Sequence, residues 1–153
     1  MTLSSVPDII KPATLAYTNA SAASNKLLIT SPSTNQTANP IATPTIKVYQ
    51  PSTQVTLNFD LNTNFVGPQT LSNGNTTATH GYTWFVEYIP NSSIFGSFTA
   101  AQQLNFAVTL AFGGGTGVVI WDGGTPTWTN NYNVFQFYTV DGVNVKGRVW
   151  VQN

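Results

Sequence analysis

The chain has 153 residues and only ten charges, Lys11, Lys26, Lys47, Lys146 and Arg148 against Asp8, Asp60, Glu87, Asp122 and Asp141, so its net charge is zero. Five cations offset by five acids make neither a phosphate-tracking stripe nor a basic membrane-binding face, which argues against nucleic acid and membrane surfaces as partners. With no cysteine, disulfide frameworks, thiol catalysis and zinc ribbons are excluded.

Thr, Asn and Ser number 23, 16 and 11, while 41% of the chain is hydrophobic. That composition predicts a packed core under a Thr/Asn surface rather than a Lys/Glu one. A net charge near zero leaves little repulsion between copies and so favours self-association. No apolar run approaches the roughly 20 residues of a transmembrane helix. Met1–Asp8 has neither the basic nor the apolar part of a secretion signal.

Residues 1–44 are punctuated by Pro7, Pro12, Pro32, Pro40 and Pro44 and are rich in small polar residues. They read as an extended N-terminal arm with one short strand at 26–30. Such an arm is either a terminus without a fixed place or a segment that orders against a neighbouring subunit. Its isolated apolar clusters, Ile9–Ile10 and Leu27, Leu28 and Ile29, need somewhere to bury, which favours the second reading and marks them as partner contacts.

Residues 45–153 read as a β-domain, because frequent Thr, Asn, Val, Phe and Tyr disfavour helix. A short strand is predicted at 45–50. Residues 54–61 alternate, with Val55, Leu57, Phe59 and Leu61 on one face, which is the period of a half-buried strand. A Gly/Asn/Thr loop follows over 62–81. Residues 82–89 are apolar on both faces, as in a central strand or one that meets a partner. A short helix or turn fits 100–103. Residues 104–112 alternate, with Leu104, Phe106, Val108, Leu110 and Phe112 inward, and the glycines of 113–117 turn the chain into 118–121 as a hairpin. A tight loop at 122–128 leads to two strands, 132–140 and 143–151, joined by Asp141-Gly142, a strong hairpin dipeptide. On the last strand Val143, Val145, Val149 and Val151 share one face. Lys146, Arg148 and Trp150 share the other, a candidate outward contact surface. The fold class expected is all-β: an antiparallel β-sandwich of jelly-roll type.

Catalytic patterns are weak. His80 is the single histidine, and no G-x-S-x-G places a serine beside it. Asp122 and Asp141 precede glycines in turns, the ordinary structural place for Asp. Asp60 and Glu87 fall on strands that could meet. No loop concentrates acids for calcium, and the Gly-rich loop lacks the lysine of a phosphate loop. The chain is therefore expected to be no enzyme and to hold no metal or cofactor. Aromatic faces can stack on sugars, although most are core residues. Trp121 and Trp128 bracket one loop and are the candidate glycan contacts.

The segments Thr53–Asp60 with Asn64-Phe65-Val66, Gly113–Trp121, Asp122-Gly123-Gly124-Thr125-Pro126-Thr127 and Val134–Asp141-Gly142 come in an order that resembles the β-structured C-terminal domains of tailed-phage virion proteins, of the tail-fibre and capsid-decoration type found in marine phages. Two positions depart from that pattern: Trp128 stands where the family has Leu, and Val143 where it has a second Gly. The resemblance implies a virion module with no catalytic residues. A short chain with an arm and one β-domain suits a capsid decoration or cement protein. Its partners would be the major capsid protein and its own copies as a homotrimer, assembled in the host cytoplasm into the virion. The alternative is a short tail-fibre or fibre-tip protein that binds host surface glycans.

Overall fold

The computed structural model describes residues 26–67, 73–74, 81–94 and 100–153. Among the described residues ten strands and one helical turn succeed one another: β1 (Lys26–Thr30), β2 (Gln36–Ala38), β3 (Thr45–Tyr49), β4 (Val55–Asp60), β5 (Tyr82–Ile89), α1 (Ala100–Gln103), β6 (Leu104–Thr109), β7 (Thr116–Gly117), β8 (Val119–Trp121), β9 (Asn133–Thr139) and β10 (Val145–Gln152). They form a six-stranded sheet, β1-β3-β5-β9-β10-β8, and a four-stranded sheet, β2-β4-β6-β7. The all-β class expected from composition is what the chain adopts.

The pairing is mixed rather than antiparallel. Pairs β1–β3, β3–β5, β2–β4, β4–β6 and β8–β10 are parallel; β5–β9, β9–β10 and β6–β7 are antiparallel. The cause is the path of the chain. From β1 to β6 it alternates between the two sheets, so each strand returns to its sheet in the direction of the one before. A jelly roll is built from antiparallel Greek keys, and this winding does not trace one.

The expected boundary at residue 44 also moves. Residues 26–44 are woven into the sandwich, with β1 beside β3 and β2 beside β4. Ile29 and Ala38 are buried and Leu27 packs against the core, so Leu27 and Ile29 pack within their own domain. Leu28 faces outward and is 63% exposed. Ile9 and Ile10, with the rest of 1–25, lie outside the described residues.

The core sits between the sheets and is aromatic at its centre. Phe59 on β4 meets Trp84 on β5 (5.2 Å between ring centroids) and Phe137 on β9 (4.8 Å), tying one sheet to the other. Phe106 on β6 stacks on Phe59 and lies 4.9 Å from Phe137. The alternation read in 54–61 holds: Val55, Leu57, Phe59 and Leu61 are all buried. That read in 104–112 holds as far as Leu110, which packs against the core; Ala111 is then buried, and Phe112 has a φ of 59° and is 63% exposed. The Gly-rich hairpin is shorter than expected. Thr116–Gly117 pairs back onto Val108–Thr109, and the chain then crosses to the other sheet, where β8 runs parallel to β10.

Two polar devices fix the loops. Gln103, the last residue of α1, is fully buried; its Oε1 accepts hydrogen bonds from the Tyr88 hydroxyl and the Asn91 N–H, both 3.0 Å. Burial also pushes the Tyr88 hydroxyl pKa well above its ordinary value. In the β9–β10 turn the Asp141 carboxylate accepts from the N–H groups of Val143 (2.9 Å) and Asn144 (2.7 Å) and from the Thr139 hydroxyl (3.2 Å). Partial burial pushes its pKa up, but the hydrogen bonds from Asn144, Val143 and Thr139 outweigh that and hold it down at about 2. A carboxylate depressed on folding stabilises the fold above its unfolded pKa and loses that contribution as pH falls through the folded value. The stability advantage of the wild type over Asp141→Asn is therefore expected to be full at pH 5 and to shrink steadily from about pH 4 towards pH 2. Urea titrations at several pH values measure it; a difference independent of pH would contradict the assignment.

Candidate functional sites

Register places the candidate contact residues on the outer face of the six-stranded sheet. One cross-strand row runs Lys26, Thr45, Phe85, Gln136, Arg148; the next runs Leu28, Lys47, Glu87, Val134, Val151. All four described cations, Lys26, Lys47, Lys146 and Arg148, share this face. The fifth, Lys11, lies outside the described residues. Lys47 lies 3.9 Å from Glu87 and Lys146 3.8 Å from Asp122. Exposed pairs at such distances contribute under about 1 kcal/mol. Arg148 Nε donates to Gln136 Oε1, and its guanidinium carbon lies 5.5 Å from the Trp150 ring centre. The Tyr138 hydroxyl donates to Asp122 (2.9 Å), and that bond, ahead of burial, raises its pKa.

The outward set Lys146, Arg148 and Trp150 is therefore brought together as read, but one detail of the last strand is corrected. A bulge between Val149 and Val151 puts Val149 opposite Phe135 and Val151 opposite Val134. Trp150 is the extra residue, 56% exposed, with its ring edge-on to Phe85 at 5.7 Å. Val151 turns to the outer face with it. Between Lys26, Phe85 and Trp150 lies a groove of about 390 Å³, floored in part by Val134 and Val151, with Glu87 and Tyr132 on its wall. Sequence reasoning missed Lys26, Phe85, Glu87 and Tyr132 here. The available signal was the apolar outer face of β5.

The opposite face of the sandwich differs in kind. Thr37, Thr56, Asn58, Asp60, Asn105 and Thr109 cover the four-stranded sheet with no cation among them. Asp60 accepts from the Asn62 N–H and the Thr63 hydroxyl (both 2.9 Å). It therefore sits on the far side of the sandwich from Glu87, and the two carboxylates do not meet. Among the described residues no three His, Cys, Asp or Glu side chains gather as a metal site; His80 lies outside them.

The two glycan candidates are neighbours. Trp121 and Trp128 both pack on Phe106 (6.0 and 5.6 Å) and on Phe135 (5.7 and 4.5 Å). With Phe106, Asn105 and Thr125 they line a groove of about 240 Å³ at the open side of the sandwich, between β6 and β8. Half-buried rings beside an exposed amide and hydroxyl offer stacking and hydrogen bonding to a small polar ligand. Phe106, from a strand distant in sequence, is the member that spacing did not reveal.

No family model, curated protein or solved structure matches the chain.

Proposed function

We propose that the chain is a non-enzymatic structural protein of a bacteriophage virion, a decoration or cement protein that binds the major capsid protein and stabilises the shell as a homotrimer. The observation that carries this reading is the outer face of the six-stranded sheet, which none of the described residues covers. It leaves Leu28, Ile120, Trp150 and Val151 exposed on a protein whose net charge is zero. Exposed apolar area on a strand-built face is surface for another protein to bury. What suggests a virion as the assembly is the resemblance of the segments within 53–66 and 113–142 to virion domains. On this reading the protein works in the virion and contacts neither nucleic acid nor membrane. Purified chain added to shells that lack it is expected to bind and raise their melting temperature, and Trp150→Glu is expected to weaken binding at least tenfold. Shells that neither bind the chain nor gain stability would refute the reading.

A second reading, a fibre-tip protein that binds host glycans, is favoured by the groove of Trp121 and Trp128. It expects glycan-array binding that Trp128→Ala abolishes. Because Trp128 also packs on Phe135, the exposed Asn105→Ala serves as the second variant. Array signals unchanged by both would remove this reading.

A further inference from the structure

Strands β1, β3 and β5 run parallel to one another. Parallel strands are ordinarily covered on both faces, yet the described residues cover only the inner one. The groove of about 390 Å³ opens on this bare face, and Lys26, the first residue of the edge strand β1, forms part of its wall. The sequence places residues 1–25 immediately before it, with large apolar side chains only at 1, 3, 6, 9, 10, 15 and 17.

We infer that the groove seats the N-terminal segment of a second copy of the chain, whose apolar side chains cover Phe85, Val134, Trp150 and Val151. The inference rests on the oligomeric reading above and names the surface that would join the copies. The spacing of the segment argues for a neighbour over the chain's own groove. Thr18–Asn25 are eight small residues without an apolar anchor, spanning up to about 26 Å when extended. Four strand spacings, from β1 to β10, measure only about 19 Å. Extended, the spacer is thus long enough to bring Tyr17 and Leu15 past the far side of their own groove and within reach of the next copy.

The chain lacks cysteine, so Ala16→Cys accepts a single nitroxide. Tagged, unlabelled full-length chain is mixed with untagged, isotope-labelled chain, and sedimentation is run on the same mixture. The expected result is an oligomer in which the amides of Phe85, Val134 and Val151 broaden in the labelled copies, with the broadening lost in labelled Trp150→Glu. An oligomer with no broadening, or with broadening elsewhere, overturns the inference and leaves the oligomeric reading standing. In a second sample the tagged chain is itself labelled and diluted into unlabelled, untagged chain; broadening there with none in the first mixture also overturns it. A monomer overturns both.

Discussion

Replacing Phe59 by alanine is expected to destabilise the protein by about 3–5 kcal/mol, the range for deleting a buried aromatic side chain. Phe59 is fully buried, and its ring meets Trp84 and Phe137 of the facing sheet and Phe106 of its own. Removing it opens a cavity at the point where the sheets touch. The three large rings around it cannot collapse into that space without leaving their rotamers, so little relaxation offsets the loss. At roughly 2–4 °C per kcal/mol for a chain of this size, the melting temperature should fall by about 6–20 °C. Calorimetry checks it. Leu27→Ala, at the partly buried margin of the same core, should cost markedly less; equal losses would mean that the core has no aromatic centre.

Gly142→Ala is the second large effect, about 2–5 kcal/mol. Gly142 has a φ of 72°, in the left-handed region, which costs an L-residue about 1–2 kcal/mol. An added methyl would also stand 2.6 Å from the Ala111 Cβ and 3.0 Å from the Phe65 ring, an overlap of the kind that costs about 1–3 kcal/mol. The Gly142 carbonyl further accepts the Ala111 N–H (2.9 Å), so the β9–β10 turn is bonded to the loop after β6. Gly123→Ala supplies the contrast. Its φ is 90°, but nothing lies within 4 Å of an added Cβ, so only the conformational cost applies. Denaturant melts in which Gly123→Ala is as damaging as Gly142→Ala would contradict the packing account.

These two positions also mark what the sequence makes legible. The burial of Phe59 follows from strict alternation over 54–61, and the turn at Gly142 from the Asp-Gly dipeptide. Both are local signals. Alternation says which face of a strand is buried, but not which strand lies beside it or in which direction. The parallel winding of β1, β3 and β5 depends on the chain crossing to the other sheet between them, and no residue pattern encodes that crossing. The same limit applies to the sites. Lys146, Arg148 and Trp150 lie within one strand, and their common face was legible. Lys26 and Lys47 join them only through cross-strand register, which brings the four described cations onto one face. Trp121 and Trp128 bracket one loop and their meeting was foreseeable; Phe106 reaches them through the fold. The Trp150 bulge, which turns Val151 outward, breaks the alternation on which the reading of the last strand relied.

The measurement that bears most directly on the proposed function is the copy number of this chain in purified virions, by quantitative mass spectrometry against the major capsid protein. A decoration role predicts a stoichiometry of the same order as the capsid protein, falling when residues of the exposed face such as Trp150 are replaced by acids. A few copies per particle would point to the tail and the glycan-binding groove, and complete absence from virions would contradict the account.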